Sequence, residues 1–199
     1  MADVMQNLLD SASAYAEVVD DILSSDRVVV VGPQRSGTHL VAQALAVDGE
    51  RLLVEENDFG INSLSRFVGY LSHGEKMVFQ APGLFHLCEM LDFDSMCVVV
   101  VVRPTCEIVE SSKRHRKNAT GCMVRYFVTV DTERQDESVE LQYRAWTVYQ
   151  VPYMKCASFV VNYHSMAEHR LWVPQEERRF SHAWQTANWQ TSRMDLYHR

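Results

Sequence analysis

Residues 27–45, "RVVVVGPQRSGTHLVAQAL", run four valines into a Gly-Pro turn and continue with apolar residues at helical spacing. An unbroken β-branched run differs from the alternating pattern of a half-exposed strand, and it predicts a parallel strand covered by helices on both faces. The same signature appears in "SMCVVVVVRP" (95–104), with shorter versions at "RLLVEEN" (51–57), "KMVFQAP" (76–82) and 158–166. Helical spacing follows the runs at 38–47, 61–71, 83–91, 105–115 and 137–150. Alternation of this kind predicts an α/β fold, a doubly wound parallel β-sheet flanked by helices. Ahead of the first strand, Val4, Leu8, Ala12, Tyr15, Val18, Val19, Ile22 and Leu23 fall on one stripe, which predicts a single amphipathic helix over residues 3–23.

A chain of 199 residues with 47% hydrophobic and 23% charged residues is long enough to bury one sizeable core, and residues 1–199 are read as one domain. The pattern weakens at 116–137, where "MVRYFVTV" (123–130) is the one strand-like run, and the region of about 116–150 is read as the variable, acceptor-side part of the domain. A formal charge of −7 argues against nonspecific nucleic-acid binding, although "SSKRHRKN" (111–118) is a local basic patch. The five cysteines (Cys88, Cys97, Cys106, Cys122, Cys156) form no CxxC pair and are read as reduced thiols, several of them in the core. No apolar stretch is long enough to span a bilayer and no leader pattern opens the chain, so a cytoplasmic protein is expected.

Gly32 and Gly37 bracket the turn between the first strand and its helix. Such a turn aims backbone N–H groups and the positive end of a helix at one point, where phosphate or sulfate oxygens can sit. An ATP-binding loop of the form G-x-x-x-x-G-K-[ST] follows its second glycine with a lysine for the phosphates and a hydroxyl for magnesium. Here Thr38 and His39 stand in those places, and the cation comes instead from Arg35 inside the turn.

In these residues the chain resembles the sulfotransferase family. "GPQRSGTHL" is similar to that family's 5′-phosphosulfate loop, in which Lys or Arg is followed by Ser-Gly-Thr-Thr. A second segment, "VVVVVRPTCEIVESS", places Arg103 after a buried strand and Ser111 eight residues later, as in the family's 3′-phosphate signature. The resemblance spans roughly residues 27–112, with an echo at "FVVNYHSM", where His164 replaces a usual glutamate. It implies a P-loop NTPase-like fold and 3′-phosphoadenosine 5′-phosphosulfate (PAPS) as sulfuryl donor, with no metal required. It also implies roles: Gly32, Arg35, Ser36, Gly37, Thr38 and His39 around the 5′-phosphosulfate, Arg103 and Ser111 on the 3′-phosphate, and Arg35 as the charge beside the bridging oxygen. His39 stands where many members carry a second threonine.

An acceptor hydroxyl also needs a general base. Members that take a histidine from a Lys-Thr-His sequence after the third strand have no counterpart here, since that region reads "FQAPGLF" with Gln80 in the lysine's place. Other members use a glutamate after the second strand, and Glu55 and Glu56 occupy that position. Strand residues alternate in direction, so one of the two faces the site, and Glu55 is favoured. Asp58 and His86 are weaker candidates, and Lys113, Arg114, Arg116 and Lys117 are read as a solvated face. Arg178 and Arg179 are the nearest thing to the family's C-terminal Arg-Lys-Gly segment, while Trp146, Tyr149 and Tyr153 are assigned to the core rather than to an acceptor pocket. The expected partner is a small-molecule or carbohydrate acceptor. Two other readings stay open: a kinase-like P-loop phosphotransferase, and a nucleotide-binding module without catalysis.

Overall fold

A computed structural model describes residues 4–56, 67, 69–70, 74–85, 96–116, 135–147 and 154–173. Its strands are β1 (Arg27–Val31), β2 (Leu52–Glu55), β3 (Met77–Gln80), β4 (Met96–Val102) and β5 (Ala157–Asn162). All pair in parallel in the order β2-β3-β1-β4-β5. The helices are α1 (Val4–Ser11), α2 (Tyr15–Leu23), α3 (Thr38–Asp48), α4 (Thr105–Arg116) and α5 (Gln135–Ala145), with a 3₁₀ helix at Tyr163–Glu168. This is the expected α/β architecture, a doubly wound parallel sheet flanked by helices, in which β1 lies at the centre and feeds the glycine loop.

The valine runs explain why two layers of helix form. Val28 and Val30 of β1, with Cys97, Val99 and Val101 of β4, enter a core against α2 and α3. Val29 and Val31, with Met96, Val98, Val100 and Val102, enter a second core against α1, α4 and α5. Every residue of β4 is buried. A strand with both faces covered cannot alternate polar and apolar residues, and these do not.

The structure corrects two sequence expectations. The helix expected over 3–23 is two helices, because Ser13 leaves the helical path to form a parallel bridge with Val161 on β5. Its N–H donates to Val160 O at 2.9 Å and its carbonyl accepts from Asn162 N at 3.1 Å, so β5 gains two ladder bonds beyond those it makes with β4. The last strand ends at Asn162 rather than running to 166, since Asn162 Oδ1 accepts from the His164 N–H at 2.9 Å and caps the 3₁₀ helix. Of the three cysteines described, Cys97 alone is in the core, while Cys106 is exposed and Cys156 half-buried. Burial pushes the Cys97 thiol up to about 11, so it is an inert core group.

Other elements stand largely as read. The helix expected at 61–71 is described only at Phe67, Gly69 and Tyr70, all helical. The helix expected at 83–91 is described as a 3₁₀ turn over 82–85. The expected strand 123–130 and the residues Asp58, His86, Cys88, Lys117, Cys122, Tyr149, Tyr153, Arg178 and Arg179 lie outside the described residues, as do the side chains of Arg114 and Arg116. Trp146 is core, stacked on Phe85 at 6.2 Å between centroids. No helix among the described residues is long and apolar enough to cross a membrane.

Candidate functional site

The loop after β1 takes a backbone course that only some residues tolerate. Arg35 has φ 74° and Gly37 has φ 106°. At Gly37 a Cβ would stand 2.1 Å from the Tyr163 ring, so both the left-handed conformation and the close approach demand glycine. Gly37 is also the N-cap of α3 and offers no side chain to the first helical N–H groups, which the helix itself leaves without partners. The Ser36 N–H, expected among the anion donors, instead donates to Pro33 O at 3.0 Å and holds the turn.

Two neighbouring strands fix the first turn of α3. The register aligns Val30, Gln80 and Glu55 in one row across β1, β3 and β2. Gln80 Nε2 donates to Thr38 Oγ1 at 3.2 Å, which leaves the threonine hydroxyl proton to point elsewhere. Glu55 Oε1 lies 3.6 Å from His39 Nδ1. Gln80 stood out in the sequence as the residue in the lysine's place; its role in setting Thr38 depends on the strand register.

Beyond β4 the loop meets its second basic residue. Arg103 is buried; its Nε donates to Glu107 Oε2 at 2.9 Å and its Nη1 to Arg35 O at 3.3 Å. Its guanidinium carbon stands 4.3 Å from the centroid of the Tyr163 ring, so Tyr163 packs against both the loop glycine and Arg103. Arg35 Nε donates to Ser111 Oγ at 3.4 Å. The four residues that carry the resemblance, Arg35, Thr38, Arg103 and Ser111, thus sit around the C-terminal ends of β1 and β4. Ligands of open parallel sheets bind at that edge.

His164, in place of the family's glutamate, has its Nε2 2.9 Å from Glu107 Oε1. Glu107 therefore sits between Arg103 and His164. Burial by itself would raise its pKa, but the bond to Arg103 and the proximity of His164 outweigh that and hold it below the usual carboxylate range. Glu107 was not singled out in the sequence, although it lies within reach, four residues after Arg103; Tyr163 stood in the "FVVNYHSM" echo, but its contact with Gly37, across 126 positions, left no local signal.

The paired glutamates separate by strand alternation. Leu53 packs in the α3-side core and Val54 in the opposite one, so Glu55 returns to the α3 side and Glu56 to the other. Glu56 is buried, its Oε2 accepts from the Gly83 N–H at 3.3 Å, and burial pushes its carboxyl up to about 6. Glu55, the favoured candidate, faces the loop through His39; Glu56 carries the perturbed titration.

The arrangement brings together two guanidinium groups, two hydroxyls and the first turn of a helix, the kind of donors that anions use, with a loop glycine that leaves no room for a side chain. Among the described residues no group of three or more His, Cys, Asp or Glu is arranged to hold a metal ion. No protein-family model matches the sequence, and no curated protein matches it significantly. Among solved structures the chain is similar to shikimate kinase from Acinetobacter baumannii in complex with shikimate, at 14% identity and a TM-score of 0.41, across 91% of this chain and 98% of that one.

Proposed function

We propose that this protein is a sulfotransferase that moves a sulfuryl group from PAPS to a hydroxyl or amine acceptor, with no metal required. The observation that carries the reading is the meeting of Arg35 with Ser111 beside Arg103, in a loop whose lysine position is a threonine. Sulfuryl transfer depends on positioning and charge stabilisation more than on covalent help, as phosphoryl transfer does. Arg35 would offset the charge that grows on the leaving phosphate oxygen. Main-chain N–H groups of residues 37–39 and the Thr38 hydroxyl would hold the 5′-phosphate, and Arg103 with Ser111 the 3′-phosphate.

A kinase-like phosphotransferase shares the fold and is the second reading. It would need a cation and a magnesium-binding hydroxyl at positions 38 and 39, where Thr38 is bound by Gln80 and His39 faces Glu55. Calorimetric titration separates the two. Adenosine 3′,5′-bisphosphate without metal is expected to bind in the micromolar range and more tightly than ATP with magnesium. Arg35→Ala and Arg103→Ala are each expected to weaken it by about 2 kcal/mol, roughly 30-fold. Preference for magnesium ATP supports the kinase instead, and binding of neither ligand removes both.

A further inference from the structure

The two residues read as holding the 3′-phosphate have a negative charge between them. Glu107 lies four residues after Arg103 and four before Ser111, one turn of α4 from the serine, so its carboxylate rises on the face that carries both. It is tied there at both oxygens: Oε2 accepts from Arg103 Nε at 2.9 Å, and Oε1 lies 2.9 Å from His164 Nε2. Burial works against its charge, but the Arg103 bond and the nearby His164 outweigh burial, so the carboxyl stays ionised and only accepts. His164 Nε2 is therefore the donor. A phosphate bound at Arg103 and Ser111 meets this carboxylate at close range, and the single positive charge of Arg103 is already shared with it.

We infer that His164 is a further cation of the proposed 3′-phosphate site, which takes up a proton on His164 as it takes its phosphate. The inference rests on the sulfotransferase reading, which gives that phosphate to Arg103 and Ser111. Nε2–H already donates to Glu107, so the added proton passes from solvent to Nδ1. The imidazolium then offsets the carboxylate and leaves the Arg103 charge to the phosphate. Histidine suits this role because its ordinary titration lies between about pH 5 and 8, and the His164 side chain is 51% exposed, so charging it costs little desolvation. The fold sets its place: the Asn162 side chain accepts from the His164 main-chain N–H at 2.9 Å. The Tyr163 ring, 4.3 Å from the Arg103 guanidinium carbon, meets the His164 ring edge to face at 5.7 Å between centroids. The charged groups that face this contact are Glu107 from α4, Arg103 from the end of β4, and Arg35 from the loop, whose carbonyl accepts from Arg103. Glu110 and Lys113 of α4 are exposed, and α2 meets the 3₁₀ helix through the Tyr15 N–H on Ser165 Oγ. Linkage fixes the sign. A phosphate that favours the charged ring is itself bound more tightly where the ring is charged, so affinity falls as the pH rises through the His164 titration.

The test compares adenosine 3′,5′-bisphosphate with adenosine 5′-monophosphate, which lacks the 3′-phosphate, by calorimetry without metal. Each is titrated at about pH 6.5 and about pH 8.5, on either side of an imidazole charged by a neighbouring phosphate, in two buffers of different ionisation enthalpy. The bisphosphate is expected to bind with uptake of part of a proton and about five-fold more tightly at the lower pH, while the monophosphate changes by about two-fold or less. His164→Gln should lose the proton uptake and with it the tighter binding at the lower pH. Glu107→Gln, whose amide oxygen still accepts from Arg103, should bind the bisphosphate about three-fold or more tightly than the wild type at the higher pH. A readout that folding stability does not move is the NMR titration of the His164 imidazole, whose midpoint is expected to rise with the bisphosphate and to stay with the monophosphate. Proton uptake that survives His164→Gln overturns the inference, as does an equal response to the monophosphate or weaker binding in Glu107→Gln. Bisphosphate binding without proton uptake overturns it too and leaves the sulfotransferase reading in place. Failure of the wild type to bind the bisphosphate at either pH removes that reading along with the inference.

Discussion

Glu55 and Glu56 are adjacent in the chain and chemically identical, yet the fold gives them different lives. Glu55 meets His39 near the loop, while Glu56 is buried and, among the described residues, accepts from the Gly83 N–H. The Glu56 carboxyl is pushed up to about 6 by burial, so it prefers to be protonated in the folded state. The cost of its charge is absent below the unfolded pKa near 4.3, and stability falls as the pH rises from there through about 6. Glu56→Gln removes that titration. It should therefore stabilise the protein by about 2 kcal/mol at pH 7.5 and leave it unchanged at pH 4, as read by urea unfolding at the two values. An equal effect at both values would show that packing against Gly83, and not the charge, governs this site.

At the scale of elements, the turn between β1 and α3 is held from outside as well as from within. Tyr163, from the 3₁₀ helix after β5, fills the space over Gly37, and Arg103 lies against the same ring while bonding Arg35 O. Gly37→Ala would add a left-handed alanine and drive its methyl into a buried aromatic ring. A loss of about 3 kcal/mol is expected, with bisphosphate binding lost at the same time. Gly37→Ala combined with Tyr163→Leu should recover part of the stability and little of the binding, because the strained φ remains. Full recovery of both would mean that the ring contact alone dictates glycine. The break between α1 and α2 belongs to this scale too: its apolar stripe reads as one helix, and only the nearby edge of β5 gives Ser13 a better use for its backbone.

Across the whole molecule, stability is concentrated in the middle of the sheet. β1 and β4 pair along five residues, and both are covered on two faces. β2 is an edge strand of four residues, and α1 packs on one face only. Native-state hydrogen exchange should therefore find the amides of Val98 to Val101 slowest, protected more than those of α1 by a factor on the order of 100. Equal protection in α1 would mean that the two layers open together. The acidic net charge of −7 adds a related point, since the basic groups of the candidate site are gathered by the fold at one sheet edge and are not visible in the overall balance.

The layered sheet, the turn after β1 and the two basic residues of the candidate site were legible in the chain, because each rests on a short-range pattern. Four valines in a row exclude a solvent face, two glycines five residues apart define a turn, and Arg103 and Ser111 are separated by two helical turns. The tertiary structure decided the rest. Strand order set Gln80 and Glu55 in one row and so delivered a hydrogen bond to Thr38 and an ionisable neighbour to His39. Alternation could be read along β2, but which face carried α3 could not, and that face separates Glu55 from Glu56. Tyr163 reached Gly37 only through the parallel pairing of β5 with β4. Local spacing fixes which way a side chain points along its own element, and only long-range strand pairing fixes what it meets.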